Sequence, residues 1–302
     1  MKRTCVVVLC LFLLGSTSSL AQFPEDALRL SLPGFGVGAR ALGMGGAYNG
    51  VASDFSAIYW NPAGLAQLTR AEFSAGLSYL NAKDDGTLTN ETERSLGKPT
   101  GAENNATNGN ALGIVHPVPV RRGSLVLAFG FQRQGNFTSG LEFKGFNPNS
   151  SIVQSYAPDG VTYPSDLSDN LAYQLYLADL DTLTGRFISP ILDRVTQSGN
   201  VTESGGLNNW SIAGAVDIAP NTSVGLTVTY VAGSYRYDRS YTEEDLGGVY
   251  TVFPYDFSRL DIEDFIEDDI SGVNAKFGLL YRIPERFRFG VTVKTPTAFT
   301  VK

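Results

Sequence analysis

The chain offers few residues for side-chain chemistry. Its one histidine is His116, and its two cysteines, Cys5 and Cys10, both fall in the first ten positions. Zinc sites, Cys nucleophiles and Ser-His-Asp triads therefore lack their raw material, and no base stands near a marked nucleophile. With only two methionines, one of them the initiator, haem also has few ligands. Gly36, Gly38 and Ala41 match a dinucleotide fingerprint, with Asp54 further on, but no βαβ unit follows, so chance explains the match. The acidic run Asp261 to Asp269 lacks the spacing of a calcium loop and reads as a solvated outer loop. His116, beside Pro117, reads as an interfacial residue at a strand end. The expectation is a protein that is not an enzyme and has no cofactor or metal. With 30 Asp+Glu against 23 Lys+Arg, it also lacks the basic face that nucleic acid requires.

The first 21 residues are set aside before the fold is read. Lys2 and Arg3, the apolar run Val6 to Leu14, and Ser19-Leu20-Ala21 have the order of a secretory leader cleaved after Ala21. The apolar run is far shorter than the roughly 20 residues a spanning helix needs. Leu9 before Cys10 argues against a lipoprotein. Both cysteines leave with the leader, so the exported chain is expected to depend on neither disulfides nor thiols. No later window is apolar for long enough to be a membrane helix.

What recurs instead is alternation with period two, the signature of a half-buried strand. Val224, Leu226, Val228, Tyr230 and Ala232 alternate with small polar residues, and similar runs start at Phe73, Leu125, Trp210, Val273 and Phe287. A weaker run covers Leu112, Ile114 and His116. This predicts seven strands. Their links alternate in length. Val118 to Gly123, Ala219 to Asn221 and Pro284-Glu285 are short, whereas Asn81 to Asn110, Gly135 to Asn208 and Arg236 to Ser271 are long and polar. Short turns on one side and long loops on the other are the pattern of a bacterial outer-membrane β-barrel. Tyr79, Trp210, Tyr230, Tyr235 and Tyr281 near strand ends are expected to form its interfacial girdles.

Residues 22–70 follow neither pattern. They are Gly-rich and then compactly helical: Ser53 or Asp54 starts a short helix through Ile58, and Asn61-Pro62-Ala63 is a helix start with a capping side chain and proline at the first position. A block this small cannot hold a core alone, and within a barrel it becomes a plug. The organisation expected is leader 1–21, plug 22–70, and strands with outer loops 71–302. In the link after the third strand, Ser168-Asp169 predicts the cap of a helix carrying Leu171, Tyr173, Leu175, Tyr176, Leu177 and Leu180, a stripe suited to a hydrophobic ligand. Gly130 and Gly135 could permit a kink in the third strand.

The stretch from Gly38 to Ala66, which contains Arg40, Trp60, Asn61, Pro62 and Ala63, resembles the hatch of the FadL/TodX family, outer-membrane transporters of long-chain fatty acids and hydrophobic aromatics in Gram-negative bacteria. The resemblance implies an all-β transmembrane antiparallel barrel of about fourteen strands, within the even counts of single-chain bacterial barrels. It also implies a hatch that blocks the lumen, an outer-loop groove for the ligand, and sideways release at a kink in the third strand. The partners implied are a hydrophobic small molecule and outer-membrane lipid. A barrel resembling PorV, the type IX secretion shuttle that binds exported proteins, is the alternative. About seven strands, with no terminal aromatic after Thr300-Val301-Lys302, are half of what the family pattern needs. The expectation is a sequence truncated at its C-terminus, because free strand edges in lipid are untenable.

Overall fold

The computed structural model describes residues 24–31, 36–90, 94–157, 164–253, 256–283 and 286–302. The expected leader, the start of the plug at Gln22 and the Pro284-Glu285 turn lie outside them. Among the described residues there are four short α-helices: α1 (Pro24–Ser31), α2 (Ala39–Gly43), α3 (Ala57–Trp60) and α4 (Leu171–Gln174). The strands are β1 (Glu72–Gly86), β2 (Thr100–Val118), β3 (Leu125–Asn136), β4 (Ser139–Asn147), β5 (Asp179–Asp181), β6 (Arg186–Ile188), β7 (Val195–Ala219), β8 (Thr222–Glu244), β9 (Arg259–Ile283), β10 (Phe287–Lys294) and β11 (Ala298–Val301).

Apart from the small β5-β6 hairpin, the strands among the described residues belong to one antiparallel sheet in the order β1-β2-β3-β7-β8-β9-β10, with β4 also on β7 and β11 also on β9. β3 and β4 thus form one interrupted strand, as do β10 and β11. The wall has the seven places that the alternation predicts. Its edges are β1 and β10, and the sheet does not close.

The burial of this sheet is inverted relative to that of a water-soluble protein. The apolar members of each alternating run point outward and lie open: Leu77 is 83% exposed and Phe73 74%, and Leu127, Phe129, Ile212, Leu226, Val228, Phe277 and Val293 are also exposed. Their small or polar neighbours face inward and are buried, among them Ser211, Ser223, Thr227, Thr229 and Asn274. Water does not stabilise a continuous apolar band across a whole sheet, since exposed apolar patches of soluble proteins rarely exceed a few hundred Å². Hydrocarbon does, and apolar-out, polar-in strands are the transmembrane barrel arrangement. No helix among the described residues is long and apolar enough to cross a membrane; strands do the crossing.

Four details differ from the sequence reading. First, each long link contains a substantial share of strand. β7, β8 and β9 each run 23 to 25 residues, and the link between β1 and β2 shrinks to residues 87–99. Beyond the apolar band both faces of a strand are polar, so no period-two signal marks it. Second, the acidic run 261–269 lies within β9 rather than in a loop, paired to β8 and stabilised there by Arg236–Glu267 and Arg239–Asp264 ion pairs. Third, Tyr79, Trp210, Tyr230 and Tyr281 face outward, but Tyr235 is 4% exposed and faces the lumen. It stands five positions from Tyr230 and so on the opposite face. Fourth, the helix after the third strand covers only 171–174, capped by Asn170 rather than Ser168 or Asp169. Tyr176, at φ 58°, ends it in a left-handed conformation, and Leu180 belongs to β5.

Candidate functional site

Residues 36–70 fill the lumen at the short-turn end. Their fold depends on a few polar residues. Asp54 accepts from the Ser56 amide at 2.9 Å and its hydroxyl at 2.6 Å, and from the Tyr48 hydroxyl at 2.7 Å. It therefore sets the turn that precedes α3, while Ser56 occupies the cap position. Burial, reinforced by the Asp54 carboxylate, raises the Tyr48 phenol above its ordinary pKa and keeps it a donor. Trp60 donates to the Val37 carbonyl at 2.7 Å and covers Gly36, where a Cβ would lie 2.6 Å from the indole. Arg40 reaches Ser53 at 3.3 Å and the Tyr48 ring at 5.8 Å. Both partners lie in the plug, so Arg40 fastens the plug to itself.

Asn61 is fully buried and connects three parts of the molecule. Its Oδ1 accepts from the Ala63 amide at 3.1 Å, capping a 3₁₀ helix (Pro62–Gln67) with proline at its first position. Its Nδ2 donates to Asn49 O at 2.8 Å within the plug and to Leu279 O at 3.1 Å on β9. The wall makes room for this corner with glycine. Gly225 and Gly278 are register partners on β8 and β9. A Cβ at Gly225 would lie 2.4 Å from Pro62 C, and one at Gly278 would lie 2.1 Å from Asn61 Oδ1. Across the lumen, Gly113 of β2 pairs with Gly130 of β3, and the Phe55 ring lies over both, 2.0 and 2.4 Å from where their Cβ atoms would be. The plug core is completed by the wall: Tyr48, Ala52, Phe55, Ile58 and Leu65 share one cluster with Val115, Val126, Ala128, Ala213 and Ala215.

Gly130 is thus a seat for Phe55 and lies within regular pairing, which corrects its reading as a kink. The irregularity lies above it. β2 pairs with β3 only from Val118–Leu125 to Ala111–Gln132. β2 nevertheless continues to Thr100 on its β1 side, and β3 continues to Asn136 on its β7 side, with a register shift between Arg133 and Gly135. Residues 105–110 and 133–138 face each other unpaired. Higher up, the wall meets again where Phe146 N donates to Leu96 O at 3.0 Å and Gly140 stands against Asn104. The result is a bounded window in the wall, with Gly135 on its rim.

At the long-loop end, Val153, Ala172, Ala178, Ile191 and Val195 pack with Tyr250, Phe257 and Leu260. Leu171, Leu175 and Leu177 line a cavity of about 210 Å³ together with Val153, Tyr156 and Leu260. Tyr173 and Tyr176 line a wider groove of about 910 Å³ against Ile188 and Pro190. Leu180 is 9% exposed and lines neither hollow. The predicted groove residues, Leu180 excepted, therefore converge on one loop cluster but open onto two hollows.

Over residues 34–175 the chain matches the model of the family described as outer membrane protein transport protein (OMPP1/FadL/TodX). Residues 34–175 are thus similar to the FadL/TodX family. No curated protein and no solved structure matches the chain. The FadL/TodX match takes in the plug, β1 to β4 with the window, and the loop segment through Leu175, and it makes this part similar to outer-membrane transport proteins. β7 to β11 extend the same wall beyond it. The seats Phe55, Gly113, Gly225 and Gly278 were missed from sequence because a glycine in an alternating strand carries no sign of what lies above it. The opposed pairs only appear once register is known.

Proposed function

We propose that this chain carries hydrophobic small molecules, such as long-chain fatty acids or aromatic hydrocarbons, passively across the outer membrane. The observation that carries the reading is the coincidence, in one lipid-facing wall, of a docked plug below and a bounded window above it. A plug tied through Asn61 to β9 and through Phe55 to β2 and β3 blocks straight passage. The window offers a way out sideways, into the hydrocarbon that the exposed band requires. An apolar ligand leaving water gains roughly 25 cal/mol per Å² of surface it buries. The two loop hollows provide apolar surface where it would first land, and hydrocarbon beyond the wall is the sink. No energy source is needed when solubility supplies the gradient. Trp60, Asn61, Pro62 and Ala63 hold the plug in this reading, Arg40 stiffens it, Leu171, Tyr173, Leu175, Tyr176 and Leu177 receive the ligand, and Gly135 allows the break.

Uptake of a radiolabelled fatty acid and of a neutral aromatic into cells expressing the protein tests it. The paired variant Leu171→Ser and Leu175→Ser should weaken capture about tenfold at low ligand concentration and leave the maximal rate unchanged. Unaltered capture by that variant removes the loop hollows from the path, and uptake no greater than in cells without the protein removes the function.

A further inference from the structure

Among the described residues, helix α1 meets the wall through Arg29 and Leu30. Arg29 Nη2 donates to Glu203 Oε1 of β7 at 3.3 Å, with side chains only 17% and 27% exposed. Its guanidinium carbon lies 3.6 Å above the Tyr235 ring and 6.0 Å from that of Phe137. Glu203 is itself held on two further sides. The Tyr235 hydroxyl of β8 donates to its Oε1 at 2.6 Å and the Ser139 hydroxyl of β4 to its Oε2 at 2.8 Å. Leu30, the next residue of α1, packs on Leu207, Val231, Tyr235 and Ile270, with Phe137 alongside.

These contacts reach one rim of the window. Phe137 and Thr138 are the residues between β3 and β4, Ser139 begins β4 opposite Glu203, and Leu207 pairs with Gly135 at the register shift. Helix α1 therefore lies on the inner side of the wall over β7 to β9, beside the place where β3 and β4 part. We propose that Glu203, with Tyr235, is the latch that holds α1 beside the window and that α1 must leave it for a ligand to exit. The proposal rests on the transport reading and adds its control point. The chemistry suits a reversible catch. A single ion pair stacked on an aromatic face is strong where partly desolvated, and its loss leaves Glu203 still hydrogen-bonded to Tyr235 and Ser139, so the wall keeps its shape when the helix goes. Neither Arg29 nor Glu203 belongs to the hatch motif.

Two measurements decide it. In the full-length variant R29C/E203C, a reducible bis-thiosulfonate linker ties α1 to β7. The single variants R29C and E203C, treated alike, account for Cys5 and Cys10, both within the expected leader. Uptake should fall to background when the linker is in place and return on reduction. Cross-linked protein that transports as fast as reduced protein overturns the latch. Independently of transport, a spin label at Leu28, which is 61% exposed, should become mobile in E203Q and stay immobile in S139A, which removes only one hydroxyl. A label equally immobile in E203Q and wild type overturns the latch even where uptake is seen. Failure of the transport reading shows differently, as no uptake in reduced and wild-type protein alike.

Discussion

Asn61→Ala loosens the plug from the wall while the sheet stays assembled. The variant removes two donations, to Asn49 O and Leu279 O, and the cap on Ala63 N, all from a side chain with no exposure. Buried carbonyls and an amide left without these partners cost roughly 1–3 kcal/mol each, and the lost cap falls within that range. About 3 kcal/mol for the whole corner is a conservative sum, enough to raise the unseated fraction more than a hundredfold. Limited proteolysis of residues 36–70 in folded protein measures it: cleavage should accelerate by that order in Asn61→Ala and much less in Arg40→Ala, whose partners Ser53 and Tyr48 are both within the plug. Equal protection in Asn61→Ala and wild type would refute the seat. Thr292 Oγ1, which donates to Trp60 O at 3.0 Å, supplies a second tie nearby, so Thr292→Val should add to the effect.

The second large effect is a reversal. Gly113→Ala places a methyl group 2.0 Å from Phe55 Cζ, and all three of the nearest atoms belong to that ring. The ring must leave, at an overpacking cost of about 1–3 kcal/mol. Phe55→Ala alone empties the site and costs about 3–5 kcal/mol. In the double variant the clash is gone and the new methyl partly refills the hollow. The double variant should therefore be no worse than Phe55→Ala, a coupling of at least about 1 kcal/mol between residues in contact. Hydrogen exchange at the amides of residues 55–60 reads each arm. Strict additivity would mean that Phe55 is not seated on Gly113. Gly130 is the informative contrast: Leu112 O lies 2.5 Å from its missing Cβ, a backbone atom, so Gly130→Ala should not be rescued by Phe55→Ala.

These two expectations show where the sequence is legible. The hatch corner could be read directly, because Asn-Pro at a helix start is a local device: the side chain caps its own next turn and the ring fills a position with no donor to lose. Asp54 was read as a helix start for a similar reason, and it sets the turn before α3 instead. The strand faces were equally legible wherever one side met hydrocarbon. Tyr235 shows the limit. Its type suggests a girdle, but its parity places it in the lumen, where it holds Glu203.

The alternation of side chains thus determined, by itself, a wall of seven strand positions with an apolar outside, because a period of two is a property of each strand alone. The plug motif was likewise written in consecutive residues. Only the tertiary structure decided what the glycines serve, where the wall opens and where α1 rests. Those depend on register and on contacts between residues as distant as Asn61 and Leu279 or Arg29 and Glu203. Such contacts leave no local pattern, because the partner of a glycine or of a charge is chosen by how the strands slide against one another.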